Sequence, residues 1–243
     1  MNKIEFEIFE VWDGYWCFRP TQEIDLRILE NLSFSSRSTK GKREIWIQKN
    51  EAQERPTQYQ IDTLNYIKNN QNEILNSTFS YYRNVILPVY QEATDIDEKD
   101  IAYSTNELSK VFGILFIKIP QLENSNHFNY IVEFDFNYDD EHGTSILYQN
   151  EKAIDFFEGG EDNYDAAKLY EEQVNNEQVI RTNLYHLNGE IVFREHYKYD
   201  EKITFNLKSG TYRTFIQIGD REMCRNFYVP KDLNEFTLKQ ILT

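Results

Sequence analysis

Tyr130-Ile131-Val132-Glu133-Phe134-Asp135-Phe136-Asn137-Tyr138 is the stretch whose reading decides the fold. Aromatic and β-branched residues hold every even position, while carboxylates and an amide hold 133, 135 and 137. A period of two is that of a strand, whose successive side chains point to opposite faces. The pattern predicts one face in the core, carrying Tyr130, Val132, Phe134, Phe136 and Tyr138, and a second, solvated face made acidic by Glu133 and Asp135. Asp139-Asp140-Glu141-His142-Gly143 then reads as a turn, residues 144–148 as the returning arm, and residues 152–157 as a short edge strand.

Upstream, residues 111–119 read as another strand. Before it the period changes: Ile61, Leu64 and Ile67, then Ile74, Leu75, Phe79 and Tyr82, recur at helical spacing. Pro56-Thr57 suits a helix start, and the block reads as one helix or two with a break near Asn69-Asn70, ending before Pro88, with an acidic loop over 91–105. At the N-terminus Ile4, Phe6 and Ile8 alternate with Glu5 and Glu7, Asp13-Gly14 interrupts, and Tyr15-Trp16-Cys17-Phe18 resumes, which is a β-hairpin pattern. Strands are also expected over 24–30 and 43–48.

Downstream, Gly159-Gly160 leads to an expected helix over 164–174, with Asp162 or Asn163 placed to cap it. From Gln178 short strands follow one another, with turn signals at Asn188-Gly189, Asp200-Glu201, Ser209-Gly210 and Gly219-Asp220. A short terminal helix carrying Leu233, Phe236 and Leu238 is expected. The fold class is therefore α+β. An N-terminal α+β domain with an antiparallel sheet and a helical pair (1–176) precedes a C-terminal antiparallel β meander or small β-sandwich (177–243), the boundary falling at Asn175-Asn176-Glu177.

The 243 residues are 40% hydrophobic and 15% aromatic, enough for a substantial core. Acidic residues outnumber basic ones 41 to 26, giving a net charge of -15, which repels phosphate backbones and attracts basic surfaces. Direct nucleic-acid binding is disfavoured, and the expected partner is a basic protein. Cys17 and Cys224 lie too far apart in sequence for a closely spaced metal motif and read as free thiols. No apolar stretch has the length of a signal peptide or a membrane span, so a cytoplasmic protein without a membrane partner is expected.

Three features together resemble an uncharacterised bacterial domain, the DUF6985-like family. They are the helical block from Arg55-Pro56-Thr57 to Phe79-Ser80-Tyr81-Tyr82, the Tyr130–Phe136 strand with its Asp139-Asp140-Glu141-His142-Gly143-Thr144 ending, and Asn150-Glu151-Lys152 followed by Gly159-Gly160. The likeness covers about residues 30–165. The chain departs from it in carrying Tyr138 where the family usually has tryptophan, and in adding the C-terminal β unit. The resemblance implies a small accessory or immunity-type protein and supplies no catalytic residues. The C-terminal hairpins around Asn188-Gly189 and Ser209-Gly210 look like the β-sandwich tails of secretion-sorting domains, a likeness of hairpin grammar.

Asp139, Asp140, Glu141 and His142 are the residues best suited to metal or proton chemistry. As a calcium loop starting at Asp135 they fail, because Asp140 stands where glycine is required and Ile146 where the closing glutamate belongs. A transition-metal site would need His127 to converge on them. No Gly-x-Ser-x-Gly, His-Glu-x-x-His, Cys-x-x-Cys or phosphate loop is present in the sequence. No cofactor is expected and no catalytic residue is assigned. The leading expectation is a non-enzymatic inhibitor of the immunity or antitoxin type that occludes a basic, toxin-like partner through Glu133, Asp135, Asp139, Asp140 and Glu141, with those of the strand exposed together. One alternative is a metal-binding or hydrolytic enzyme centred on the 139–142 turn. The other is a carbohydrate- or peptide-binding module using an aromatic patch of Trp12, Tyr15 and Trp16.

Overall fold

The computed structural model describes residues 4–12, 15–27, 29, 32–33, 44–122, 125–159, 179–187, 190–198, 202–218 and 221–237. The chain divides into two compact units. One comprises Met1–Phe79, Asp97–Ala153 and Phe157–Glu171, and the other Ser80–Ile96, Ile154–Phe156 and Glu172–Thr243. The expected boundary at 175–177 lies outside the described residues, as does the expected helix over 164–174. The mixed α and β architecture holds, with a helical pair and a large sheet followed by smaller antiparallel sheets.

A seven-stranded sheet has a spatial order that follows the chain: β1 (Phe6–Trp12), β2 (Tyr15–Pro20), β3 (Glu44–Gln48), β4 (Phe112–Ile119), β5 (Asn129–Phe136) and β6 (Asp139–Gln149), all of the first unit, and then β7 (Lys152–Glu158), whose middle, Ile154–Phe156, belongs to the second. The pairs β1–β2, β2–β3, β4–β5 and β5–β6 are antiparallel, whereas β3–β4 is parallel. Parallel neighbours need a long crossover, and the helical block between Gln48 and Phe112 supplies it. Residues 24–27 form no strand, contrary to expectation.

Helix α1 (Gln58–Asn69) begins with a capping box. The Gln60 amide donates to Thr57 Oγ1 (3.2 Å) and the Thr57 amide to Gln60 Oε1 (2.9 Å), which satisfies two donors at the helix start. Gln60 Nε2 also donates to the Gln48 carbonyl (2.8 Å), tying the helix to the end of β3. The break falls at Asn70, before α2 (Gln71–Tyr81). The helices contribute the buried Leu64, Ile67 and Ile74, and the sheet contributes Ile45, Ile47, Ile117, Tyr130, Val132, Phe134 and Tyr148. The stacked rings of Tyr130 and Tyr148 lie 5.0 Å apart. Thr78 Oγ1 donates to the Ile74 carbonyl (2.7 Å), so its contact with Tyr148 (2.7 Å) is one in which the tyrosine donates. Burial holds the Tyr148 phenol well above its ordinary range.

In the second unit the helical run continues past Pro88, through a π-helical turn (Tyr82–Ile86) into α3 (Leu87–Ala93). Pro88 follows directly on the π-helical turn, in the first turn of α3, and does not end the run as expected. The C-terminal strands are β8 (Val179–His186), β9 (Ile191–Lys198), β10 (Ile203–Leu207), β11 (Gly210–Ile218), β12 (Arg221–Val229) and β13 (Leu233–Phe236). They make a four-stranded sheet ordered β12-β11-β8-β9 and a two-stranded ribbon of β10 and β13. Leu233 and Phe236 therefore lie on a strand rather than on the expected helix. Tyr212, Leu184, Phe227 and Val229 are buried, as are Tyr82, Val85 and Ile86 of the π-helical turn. Thr211 Oγ1 donates to the Asn84 carbonyl on that turn. Cys17 and Cys224 are both free thiols.

Candidate functional site

The strand that was to present an acidic face is buried along its whole length. Glu133 and Asp135 are each 7% exposed, which corrects the expectation that they are exposed together with Asp139. The physical reason for Glu133 lies on the neighbouring strand. Lys118, 3% exposed, places Nζ 2.5 Å from Glu133 Oε2, so the carboxylate is buried as a paired charge rather than displayed. The same ammonium lies 5.8 Å from the centroid of the Trp46 ring.

The Asp139–His142 segment is not a free hairpin turn either. The turn is the tighter Asn137-Tyr138, and β6 begins at Asp139, paired with Phe136. The next pair is Phe134 with Thr144, so residues 140–143 form a bulge on β6. Asp139 Oδ1 accepts from the His142 amide (3.1 Å) and lies 3.3 Å from His142 Nδ1, closing the bulge on itself. Gly143 has φ +73°, and a Cβ there would sit 2.4 Å from the Phe134 carbonyl oxygen. Glu141 is exposed, and the Asp140 side chain lies outside the described residues. His127 sits just beyond the other end of β5, with Nδ1 3.2 Å from Asn150 Nδ2, and is separated from Asp139 by the whole length of a strand that runs roughly 23 Å. It does not converge on the bulge. Among the described residues no group of three His, Cys, Asp or Glu side chains is placed to hold a metal ion.

The outer hairpin, β1 with β2, carries exposed apolar and acidic side chains together. Register pairs Ile8 with Phe18 and Glu10 with Trp16, so Ile8 and Trp16 are diagonal neighbours on one face. They are 45% and 43% exposed. Glu7 and Glu10 on β1 are exposed, as is Glu5 just before it. On the opposite face Arg19 Nε donates to Glu7 Oε1 (2.5 Å), and its guanidinium lies 4.9 Å from the Phe9 ring centroid. Phe9 meets Trp46 edge to face at 6.1 Å, and Trp46 meets Phe116 at 4.2 Å. Of the expected aromatic patch, Trp16 is exposed and Tyr15 half-buried. The backbone of Trp12 pairs with Tyr15, and its side chain lies outside the described residues.

Ile8, Lys118 and Arg19 were not singled out in the sequence. Lys118 had a signal, since it is the one charge in Phe112-Gly113-Ile114-Leu115-Phe116-Ile117-Lys118-Ile119. A buried lysine calls for a buried carboxylate nearby. Among the described residues no helix is long and apolar enough to cross a membrane. One family model, "Domain of unknown function (DUF6985)", matches residues 18–162. No curated protein and no solved structure matches the chain.

Proposed function

Because the chain belongs to the DUF6985 family of unknown function, we propose its role from its own surface: a cytoplasmic, non-enzymatic binding protein of the inhibitor or immunity type, which meets a basic partner protein at hairpin β1–β2. The observation that carries this reading is the exposure of Ile8 and Trp16 beside Glu10 on one face of the outer hairpin, with the exposed Glu5 and Glu7 on its other face. Large apolar side chains left in water and rimmed by charge are the makings of a protein interface, and tryptophan is a frequent anchor in such interfaces. A net charge of -15 steers a basic partner toward the surface and repels nucleic acid. Glu133 and Asp135 have no part in this version, because they are buried.

The test is capture of a partner with tagged full-length protein, purification of that partner, and binding kinetics for the wild type, Trp16→Ala and Glu5→Lys. Trp16→Ala is expected to weaken Kd about tenfold or more, mainly through faster dissociation. Glu5→Lys should slow association, with a rate that falls as salt is raised. A purified partner whose affinity and association rate are the same for all three proteins would refute the placement.

A further inference from the structure

The binding reading above leaves open how a partner engages the hairpin, and the backbone hydrogen bonds of β1 bear on that. The Thr21 amide donates to the Glu5 carbonyl (3.0 Å), which makes Glu5 and Thr21 a hydrogen-bonded pair. In an antiparallel ladder such pairs alternate with non-bonded ones, so Glu7 with Arg19 and Phe9 with Cys17 share that state. On the other side of β2 the Lys49 amide donates to the Trp16 carbonyl (3.2 Å), which confirms that even-numbered residues of β2 turn their backbone away from β1. It follows that Phe6 and Ile8 direct their N–H and C=O groups away from β2. Among the described residues β1 ends the sheet, and no strand lies beyond it.

An edge strand with outward donors and acceptors is a template for another strand. We infer that β1 takes an extended segment of the basic partner by strand addition, Phe6 and Ile8 supplying the main-chain hydrogen bonds and Glu5, together with the Glu7 carboxylate that Arg19 also contacts, reading basic side chains at alternate positions. This rests on the binding reading given above. The occupant follows from the side-chain alternation. A strand laid on β1 sets one row of its residues beside Glu5 and Glu7, and the other beside the partly exposed Phe6 and the exposed Ile8. Lysine or arginine in the first row and aliphatic residues in the second complement this edge. A second copy of the chain does not, because it would bring its own Glu5, Glu7 and Glu10 to the same edge, and like charges across a strand pair are destabilising.

The probe is a synthetic heptapeptide alternating lysine with valine or isoleucine. It is compared with its glutamate counterpart and with a version N-methylated at the amides that would face β1. Binding is followed by amide-resolved NMR on full-length protein and on Ile8→Ala and Ile8→Pro. Proline is tolerated on edge strands when its missing N–H faces outward, so Ile8→Pro removes a docking donor without removing a β1–β2 hydrogen bond. The expected result is binding of the lysine peptide alone, with slowed exchange at the Phe6 and Ile8 amides. Ile8→Ala should weaken binding by less than about tenfold, and Ile8→Pro should abolish it. Should Ile8→Pro fail to fold, the N-methylated peptide carries the same test, and its expected result is no binding. Equal binding of the N-methylated peptide would overturn strand addition while leaving a side-chain interface on the hairpin intact. No binding of the lysine peptide, or a peptide-free dimer with protected Phe6 and Ile8 amides, would overturn the inference as well.

Discussion

Replacing Lys118 by methionine should destabilise the first unit far more than replacing Lys118 and Glu133 together. The two charged atoms are 2.5 Å apart, with side chains 3% and 10% exposed, so neither charge has appreciable access to water. Removing one partner strands the other, and for buried pairs that costs about 3–5 kcal/mol. Here Lys118→Met leaves the Glu133 carboxylate on the same side of β5 as the buried Asp135, which adds to the penalty. Glu133→Leu strands the ammonium in the same way. The double substitution to methionine and leucine takes both charges out and keeps the volume, a change that is about neutral in other buried pairs. The coupling between the two sites should therefore be about 3 kcal/mol or more. At about 2–4 °C per kcal/mol for a chain of this size, each single variant should melt roughly 6–20 °C below the wild type. Trp12, Trp16 and Trp46 all fall in the first unit, so tryptophan fluorescence in urea reports that unit's unfolding. Single variants that each lose less than about 1 kcal/mol, or that add without coupling, would refute the account of Glu133 as a charge buried by Lys118.

Gly143→Ala should cost about 2 kcal/mol or more in urea titration, because alanine is strained at φ +73° and its Cβ would meet the Phe134 carbonyl oxygen. A loss under about 0.5 kcal/mol would mean that the bulge rearranges freely. The Tyr66 hydroxyl donates to Glu151 Oε2 (2.5 Å), and burial followed by that hydrogen bond pushes its pKa up to about 12. The folded state thus holds the phenol proton longer than the unfolded chain, whose tyrosines titrate near 10. The resulting stability is fully present below about pH 10 and is lost as pH rises through about 12. In absorbance titrations the difference between wild type and Tyr66→Phe should show a phenolate forming near pH 12, and Glu151→Gln should move it lower. A difference curve centred at pH 10 in the wild type would contradict this.

What could be read from the sequence was whatever local periodicity controls. The alternation in 130–136, the helical spacing from Ile61 to Tyr82 and the break at Asn70 all found their elements, as did the first hairpin and the short strands after Gln178. The sequence misled where a pattern has two physical solutions. Glutamate and aspartate at odd positions of β5 fit a solvated face as well as a buried one, and only the lysine four strand-residues past Ile114 on β4 distinguishes them. Leu233 and Phe236 satisfy helical spacing, yet four residues are equally a short strand once β10 offers a partner. Pro88 marks a helix stop or a helix start, and the π-helical turn before it made it a start. The accessible site was legible only in part. Trp16 and the acidic alternation of β1 were visible in the sequence, but that Ile8 is exposed depends on β1 being the last strand of the sheet, which is a matter of topology.

The parallel pairing of β3 with β4 also bears on how the chain is made. Ile45 and Ile117 are aligned across that pair although they are seventy-two residues apart in sequence. Closing a loop of that length costs on the order of 4 kcal/mol in chain entropy before any contact repays it. The β1–β2 hairpin is local, but β3 has no β4 to join until residues past 117 have been synthesised. At ordinary translation speeds that interval is roughly 4–14 s. Through that time two short strands with phenylalanine, isoleucine and tryptophan side chains stand without the rest of their sheet. The glutamates at 5, 7 and 10 then act as gatekeepers, keeping one nascent hairpin from zipping onto another until the crossover helices bring β4 into place.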